Sequence, residues 1–140
     1  MNLFSKMKPS SELKEPGKVI LADEVYQIVG AAMEVYYTLG CGFLESVYQQ
    51  ALHIELRERR IPFRAQERFS IEYKGHLLER DYVADFFCFE QIIVEIKALN
   101  QLSPVDSSQV INYLKVSNCR VGLIFNFGSH AKLEWKRFVI

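Results

Sequence analysis

Apolar positions along this chain recur with two different periods. Val25, Ile28, Val29, Ala32, Val35, Tyr36 and Leu39 fall at helical spacing, which predicts a helix over 21–39. Gly40 and Gly42 end it, as glycine commonly does just past a helix. Leu44, Val47, Tyr48, Ala51 and Leu52 give a second helical stripe over 43–60, closed by Pro62. The period then falls to two. Phe63 to Tyr73 alternates, with Phe63, Ala65, Phe69, Ile71 and Tyr73 expected on one side. Lys74-Gly75 is a turn signal. His76 to Phe89 reads as a long second strand, Glu90-Gln91 as a turn, and Ile92 to Ala98 as a third strand. Together they predict an antiparallel meander.

A well-marked helix follows. Ser103 can cap it, Pro104 suits the first helical position, and Asp106 completes an S-x-x-D capping box. Val110, Tyr113, Leu114 and Ser117 share a face, and Asn118 is a plausible stop. Val121 to Phe127 is a continuous apolar run fit for a buried strand. Leu133 to Ile140 reads as a final strand, with a helix left open. Residues 1–18 are polar, contain Pro9, Pro16 and Gly17, and read as a flexible lead-in to one domain over 19–140.

Composition narrows the class. The chain has 140 residues, 49% of them hydrophobic, enough for one domain with a core. The formal net charge is zero, so there is no global field to draw in a polyanion. Charge is uneven, however. Lys115, Arg120, Lys132, Lys136 and Arg137 outweigh Asp106 and Glu134 in the last forty residues, and Arg57, Arg59, Arg60, Arg64 and Arg68 cluster with Glu58 and Glu67. Cys41, Cys88 and Cys119 are odd in number and widely spaced, which fits a reducing cytoplasm and argues against a disulfide framework or a zinc site. His53, His76 and His130 are scattered. No apolar run is long enough for a membrane span.

Candidate chemistry sits in the third strand. Ile93, Glu95 and Lys97 share one face of it, and Ile92, Val94, Ile96 and Ala98 share the other. Burying either charge is costly unless it is paired or binds a metal. An amphipathic strand with a solvated face would explain Glu95 and Lys97 without any chemistry. The neighbouring strand changes this, because it carries Asp85 in its apolar half. Two carboxylates and an amine together are what metal-assisted phosphodiester hydrolysis requires: hard oxygen ligands for the cation and an ammonium for the anionic transition state. The two acids share a face only if the intervening turn is odd in length or a bulge intervenes. Glu45, one turn before Tyr48, is either a first-turn charge favoured by the helix dipole or an inward-pointing acid.

These residues resemble the PD-(D/E)XK nuclease superfamily, and within it the small GxxExxY proteins. The naming motif reads Gly42-Phe43-Leu44-Glu45-Ser46-Val47-Tyr48. The core motif reads Asp85, then Glu95-Ile96-Lys97, with Ala84 in place of the proline. Gln109-Val110-Ile111-Asn112-Tyr113 resembles the Q-x-x-x-Y motif of RecB-like nucleases. The resemblance implies an α/β fold with a restriction-endonuclease-like αβββαβ core. It also implies a mixed central sheet flanked by helices, with one extra N-terminal helix. It implies Mg²⁺ or Mn²⁺ held by Asp85, Glu95 and the Ile96 carbonyl, with Lys97, Glu45, Gln109 and Tyr113 in catalytic roles. The implied partner is nucleic acid, DNA ahead of RNA. A homodimer is one route to cutting both strands. The alternative is an interaction module that keeps the fold without turnover.

Overall fold

The computed structural model describes residues 19–140. Elements run in the order α1 (Ala22–Leu39), α2 (Glu45–Glu58), β1 (Phe63–Tyr73), β2 (His76–Cys88), β3 (Ile92–Lys97), α3 (Pro104–Ser117), β4 (Val121–Asn126) and β5 (Glu134–Val139). The strands form one sheet in the order β1-β2-β3-β4-β5, antiparallel except for the parallel pair β3–β4. This is an α/β restriction-endonuclease-like core with a mixed sheet and an extra N-terminal helix, as the sequence implied. The final element is a strand, which closes the helix alternative for 133–140. The lead-in expected over 1–18 lies outside the described residues.

Two apolar layers clothe the sheet. On one face, Phe86, Cys88, Ile92, Val94, Ile96, Leu123 and Phe125 pack with the buried stripes of α1 and α2. On the other, Ile93 and Ile124 pack with Val110 and Leu114 of α3. Gly122 lets α3 sit close, since a Cβ there would lie 3.0 Å from Val110 and 3.1 Å from Leu114. The capping box forms as read: Ser103 N–H donates to Asp106 Oδ2 at 2.8 Å, and Asn118 ends the helix at φ 59°.

Three local expectations are corrected. Helix α2 begins at Glu45 rather than 43 and ends at Glu58. The turn after β2 spans three residues, Phe89 to Gln91, rather than Glu90-Gln91 alone, with Phe89 at φ 55° and Glu90 at φ 57°. And β1 does not present one apolar side. Phe63 and Ala65 pack against the α1–α2 layer, whereas Phe69 and Ile71 pack against the α3 layer. Between them Gln66 takes φ 54°, and the β1–β2 ladder skips Gln66 and Asp85 while keeping the same register on either side. A single left-handed residue reverses the direction in which side chains point, so the ribbon swaps faces at this step.

Candidate active site

Asp85 stands where the ribbon swaps faces and where β2 leaves β3. The β2–β3 ladder runs from Cys88↔Ile92 to Phe86↔Val94, so an odd-length turn sets Asp85 against Glu95. Beyond that point side chains replace the ladder. Ile96 N–H donates to Asp85 Oδ2 at 2.8 Å, and Gln49 Nε2 of α2 donates to the Asp85 carbonyl at 3.2 Å. Both backbone groups freed by the divergence are thereby satisfied, as buried polar groups must be.

Glu95 is 7% exposed. Its carboxyl is hydrogen-bonded to that of Asp85 and accepts the Tyr82 hydroxyl. Burial first, and then the negative charge of Asp85, push the Glu95 carboxyl up from an ordinary 4.5 to about 9. The Glu95 carboxyl therefore holds its proton at neutral pH. The same burial and the nearby carboxylates raise the Tyr82 phenol. Tyr82 lies flat against Tyr113 of α3, with ring centroids 3.9 Å apart and 8° between planes. The Tyr113 phenol is raised too, by burial and then by Glu95 and Asp85. From the same face Lys97 Nζ donates to Gln109 Oε1 at 3.5 Å.

Glu45 comes from the opposite layer. Tyr48 is fully buried, donates its hydroxyl to the Gly40 carbonyl and accepts from Phe43 N–H at 3.2 Å. Its ring stacks on Phe127 at 4.8 Å. Together with Gly42 at φ 110°, these bonds fix the α1–α2 turn and so aim the first residue of α2. Glu45 stays exposed at the rim, yet burial and then the charge of Asp85 raise its carboxyl, while Lys97 lowers it. It stands near enough to sense Asp85 and Lys97 but does not join the pair. Among the described residues, no group of three or more His, Cys, Asp or Glu side chains is placed to hold a metal ion.

The donor set nonetheless suits a hard cation. Two carboxyl groups brought together in a poorly solvated place would hold a divalent ion where Glu95 now holds a proton. Mg²⁺ commonly takes only one or two protein carboxylates, filling its octahedron with water and phosphate.

The structure brings Asp85, Glu95, Lys97, Gln109 and Tyr113 to one place, whereas Glu45, expected on the same face, comes from the opposite layer and stands exposed at the rim. Sequence reasoning missed Tyr82 and Gln49. Tyr82 falls on the Phe69 side of the inverted ribbon, stacked at 5.8 Å on that ring, and the one local mark of the inversion is Glu67, which interrupts the apolar positions beside Gln66. Gln49 could have been found from its place one turn after Glu45 on the same helix.

An αβββαβ core with paired acids at the divergence of β2 and β3, and a lysine on the same face, is of the restriction-endonuclease-like class. The chain belongs to the PD-(D/E)XK nuclease superfamily, whose pattern it matches over residues 22–138. It is also similar in fold to the crystal structure of SSO0001, with a TM-score of 0.54 at 13% identity. That match covers 85% of this chain and 59% of the other, so this chain spans under two thirds of that protein's length. No curated protein matches it.

Proposed function

We propose that this protein is a divalent-metal-dependent nuclease of the GxxExxY type, acting on DNA rather than RNA. The observation that carries the reading is the Asp85–Glu95 pair with Lys97 on the same face. Asp85, Glu95 and the Ile96 carbonyl would hold Mg²⁺ or Mn²⁺. The bound ion supplies a water of lowered pKa and offsets charge on the phosphate. The chain's own residues do the rest. Glu95 gives up its proton when the cation is held. Lys97, steadied by Gln109, turns its ammonium towards the charge that develops on the phosphate. Tyr82 and Tyr113 wall the pair off from water on the α3 side. Glu45 at the open rim orients water arriving from solvent. No helix among the described residues is long and apolar enough to cross a membrane, which accords with a cytoplasmic setting.

One centre cuts one strand, so double-strand cleavage would take a homodimer or a second event. The test is cleavage of single- and double-stranded DNA and RNA with Mg²⁺ or Mn²⁺. Wild type should cleave and Lys97→Ala should not, although Lys97→Ala still binds metal by calorimetry, because an ammonium is not a ligand. Nucleic-acid binding that ignores metal, without cleavage, would favour the non-catalytic interaction module.

A further inference from the structure

A second concavity opens beyond the C-terminal ends of the parallel strands β3 and β4. It measures about 740 Å³, and Tyr37, Asn100, Gln101, His130, Lys132 and Trp135 line it. The ends of parallel strands are where α/β sheets usually receive ligands. Here the floor is firmly built. Asn126 is fully buried, and its Oδ1 accepts Leu99 N–H at 2.8 Å and Gly128 N–H at 3.2 Å. Its Nδ2 donates to Glu134 Oε1 at 2.9 Å, an oxygen that also accepts Leu102 N–H at 3.0 Å. One amide thus ties the exits of β3 and β4 to the start of β5. At Gly128 the two exits run so close that a Cβ would lie 2.4 Å from the Leu99 carbonyl oxygen.

The walls above this floor offer three kinds of contact. Tyr37 is 70% exposed, its ring meeting that of Tyr36 in a T-shaped contact at 5.9 Å, and the half-buried indole of Trp135 adds a second aromatic. Asn100 and Gln101 are exposed amides that can donate and accept. Lys132 is exposed, with no carboxylate partner among the described residues. His130 contacts Cys41 Sγ through Nδ1 at 3.5 Å, which leaves Nε2 as its other polar atom. Glu134 also lines the groove, with its Oε1 engaged below by Leu102 N–H and Asn126 Nδ2. An aromatic face, amides and a cation in one groove match a nucleotide: a base to stack, edges to hydrogen-bond and a phosphate to neutralise. Asn100 is three residues past Lys97, so their backbones lie within about 10 Å, close enough for one strand to reach both.

We propose that this groove is a binding subsite for a nucleotide of single-stranded DNA flanking the Asp85–Glu95 centre. The inference rests on the nuclease reading of that centre, but its test does not need turnover. Trp135 is the sole tryptophan of the chain, so intrinsic fluorescence reports on the groove itself. The probe is a short oligothymidylate titrated into full-length Lys97→Ala, in Ca²⁺ and again in EDTA. Saturable quenching is expected. Tyr37→Ala should weaken it by about fivefold or more, the loss of one base stack, while Tyr37→Phe keeps the affinity. Lys132→Ala should lower the slope of log affinity against log salt by about 0.7, one phosphate contact on a single strand. Unchanged wild-type melting temperatures in these surface variants would show that they fold. Fluorescence indifferent to the oligonucleotide would overturn the subsite. So would quenching that survives both Tyr37→Ala and Lys132→Ala, or quenching by duplex alone. Absence of cleavage by the wild-type protein in Mg²⁺ or Mn²⁺, with quenching intact in Lys97→Ala, would instead reject the nuclease reading and leave the subsite standing.

Discussion

Glu95→Gln separates a metal-poised pair from an ordinary ion pair. In the folded protein Glu95 accepts from Tyr82 and is hydrogen-bonded to Asp85. Glutamine reproduces both bonds, since its carbonyl accepts from Tyr82 and its amide donates to Asp85. It differs in one respect: it does not titrate. The folded pKa of Glu95, about 9, stands above its ordinary 4.5. The native state therefore holds a proton that the unfolded chain releases, and wild-type stability falls as pH rises from 4.5 to 9. At pH 7 the gap is about 2.5 pH units, so the penalty reaches at most ~3 kcal/mol at ~1.4 kcal/mol per unit. Removing it should raise the melting temperature of the metal-free variant by up to ~10 °C for a domain of this size. The gain should be largest at pH 8–9 and vanish near pH 4.5. Millimolar Mg²⁺ should reverse the order, because a cation held only by the folded state stabilises wild type and not the variant. Thermal melts of both proteins from pH 4.5 to 9, in EDTA and in Mg²⁺, supply the assay. A variant that melts several degrees lower in EDTA at pH 7, with an unchanged pH slope, would refute the reasoning. It would mean that Glu95 is ionised against Lys97, and that its loss strands a cation.

Other outcomes follow from the same geometry. Tyr82→Phe keeps the stack on Tyr113 but removes the donor to Glu95; it should cost ~1–2 kcal/mol and weaken protection by Mg²⁺, both read by melting with and without the ion. Gly128→Ala places a Cβ against the backbone of Ala98 and Leu99 and should destabilise by ~2–4 kcal/mol in urea unfolding; a neutral result would mean that the strand exits can part freely. Tyr48→Phe should cost ~1–2 kcal/mol and slow any cleavage as well, because the hydroxyl holds the turn that aims Glu45; an unchanged cleavage rate would detach Glu45 from the chemistry.

Most of the architecture was legible because its signals are local. The capping box at Ser103 and Asp106, the stop at Asn118 and the largely apolar runs of β3 and β4 are each written in a few adjacent residues. The face shared by Asp85 and Glu95 followed from parity once the turn length was known, yet the length was set by two left-handed residues, Phe89 and Glu90, that no turn signature marks. The inversion at Gln66 was barely legible for the same reason. From Phe63 to Ile71 the apolar residues keep to odd positions, interrupted only by Glu67, and the backbone of one glutamine redirects the second half. Tyr82 stayed hidden behind that inversion. Glu45 was ambiguous in the sequence because both readings put an acid on the first turn of α2. In the structure it opens α2 at an exposed rim, where burial and then the charge of Asp85 raise its carboxyl.

That face swap also bears on how the domain comes apart. The β1–β2 ribbon lends Phe63 and Phe86 to the layer beneath α1 and α2, and Phe69 and Tyr82 to the layer beneath α3. A strand pair woven through both sides of a sheet works like a stitch through two sheets of cloth. Neither layer can be peeled away without drawing the thread from the other. Slowly exchanging amides in α1 and in α3 should therefore report one common opening free energy, where two layers resting on separate strands would open in turn.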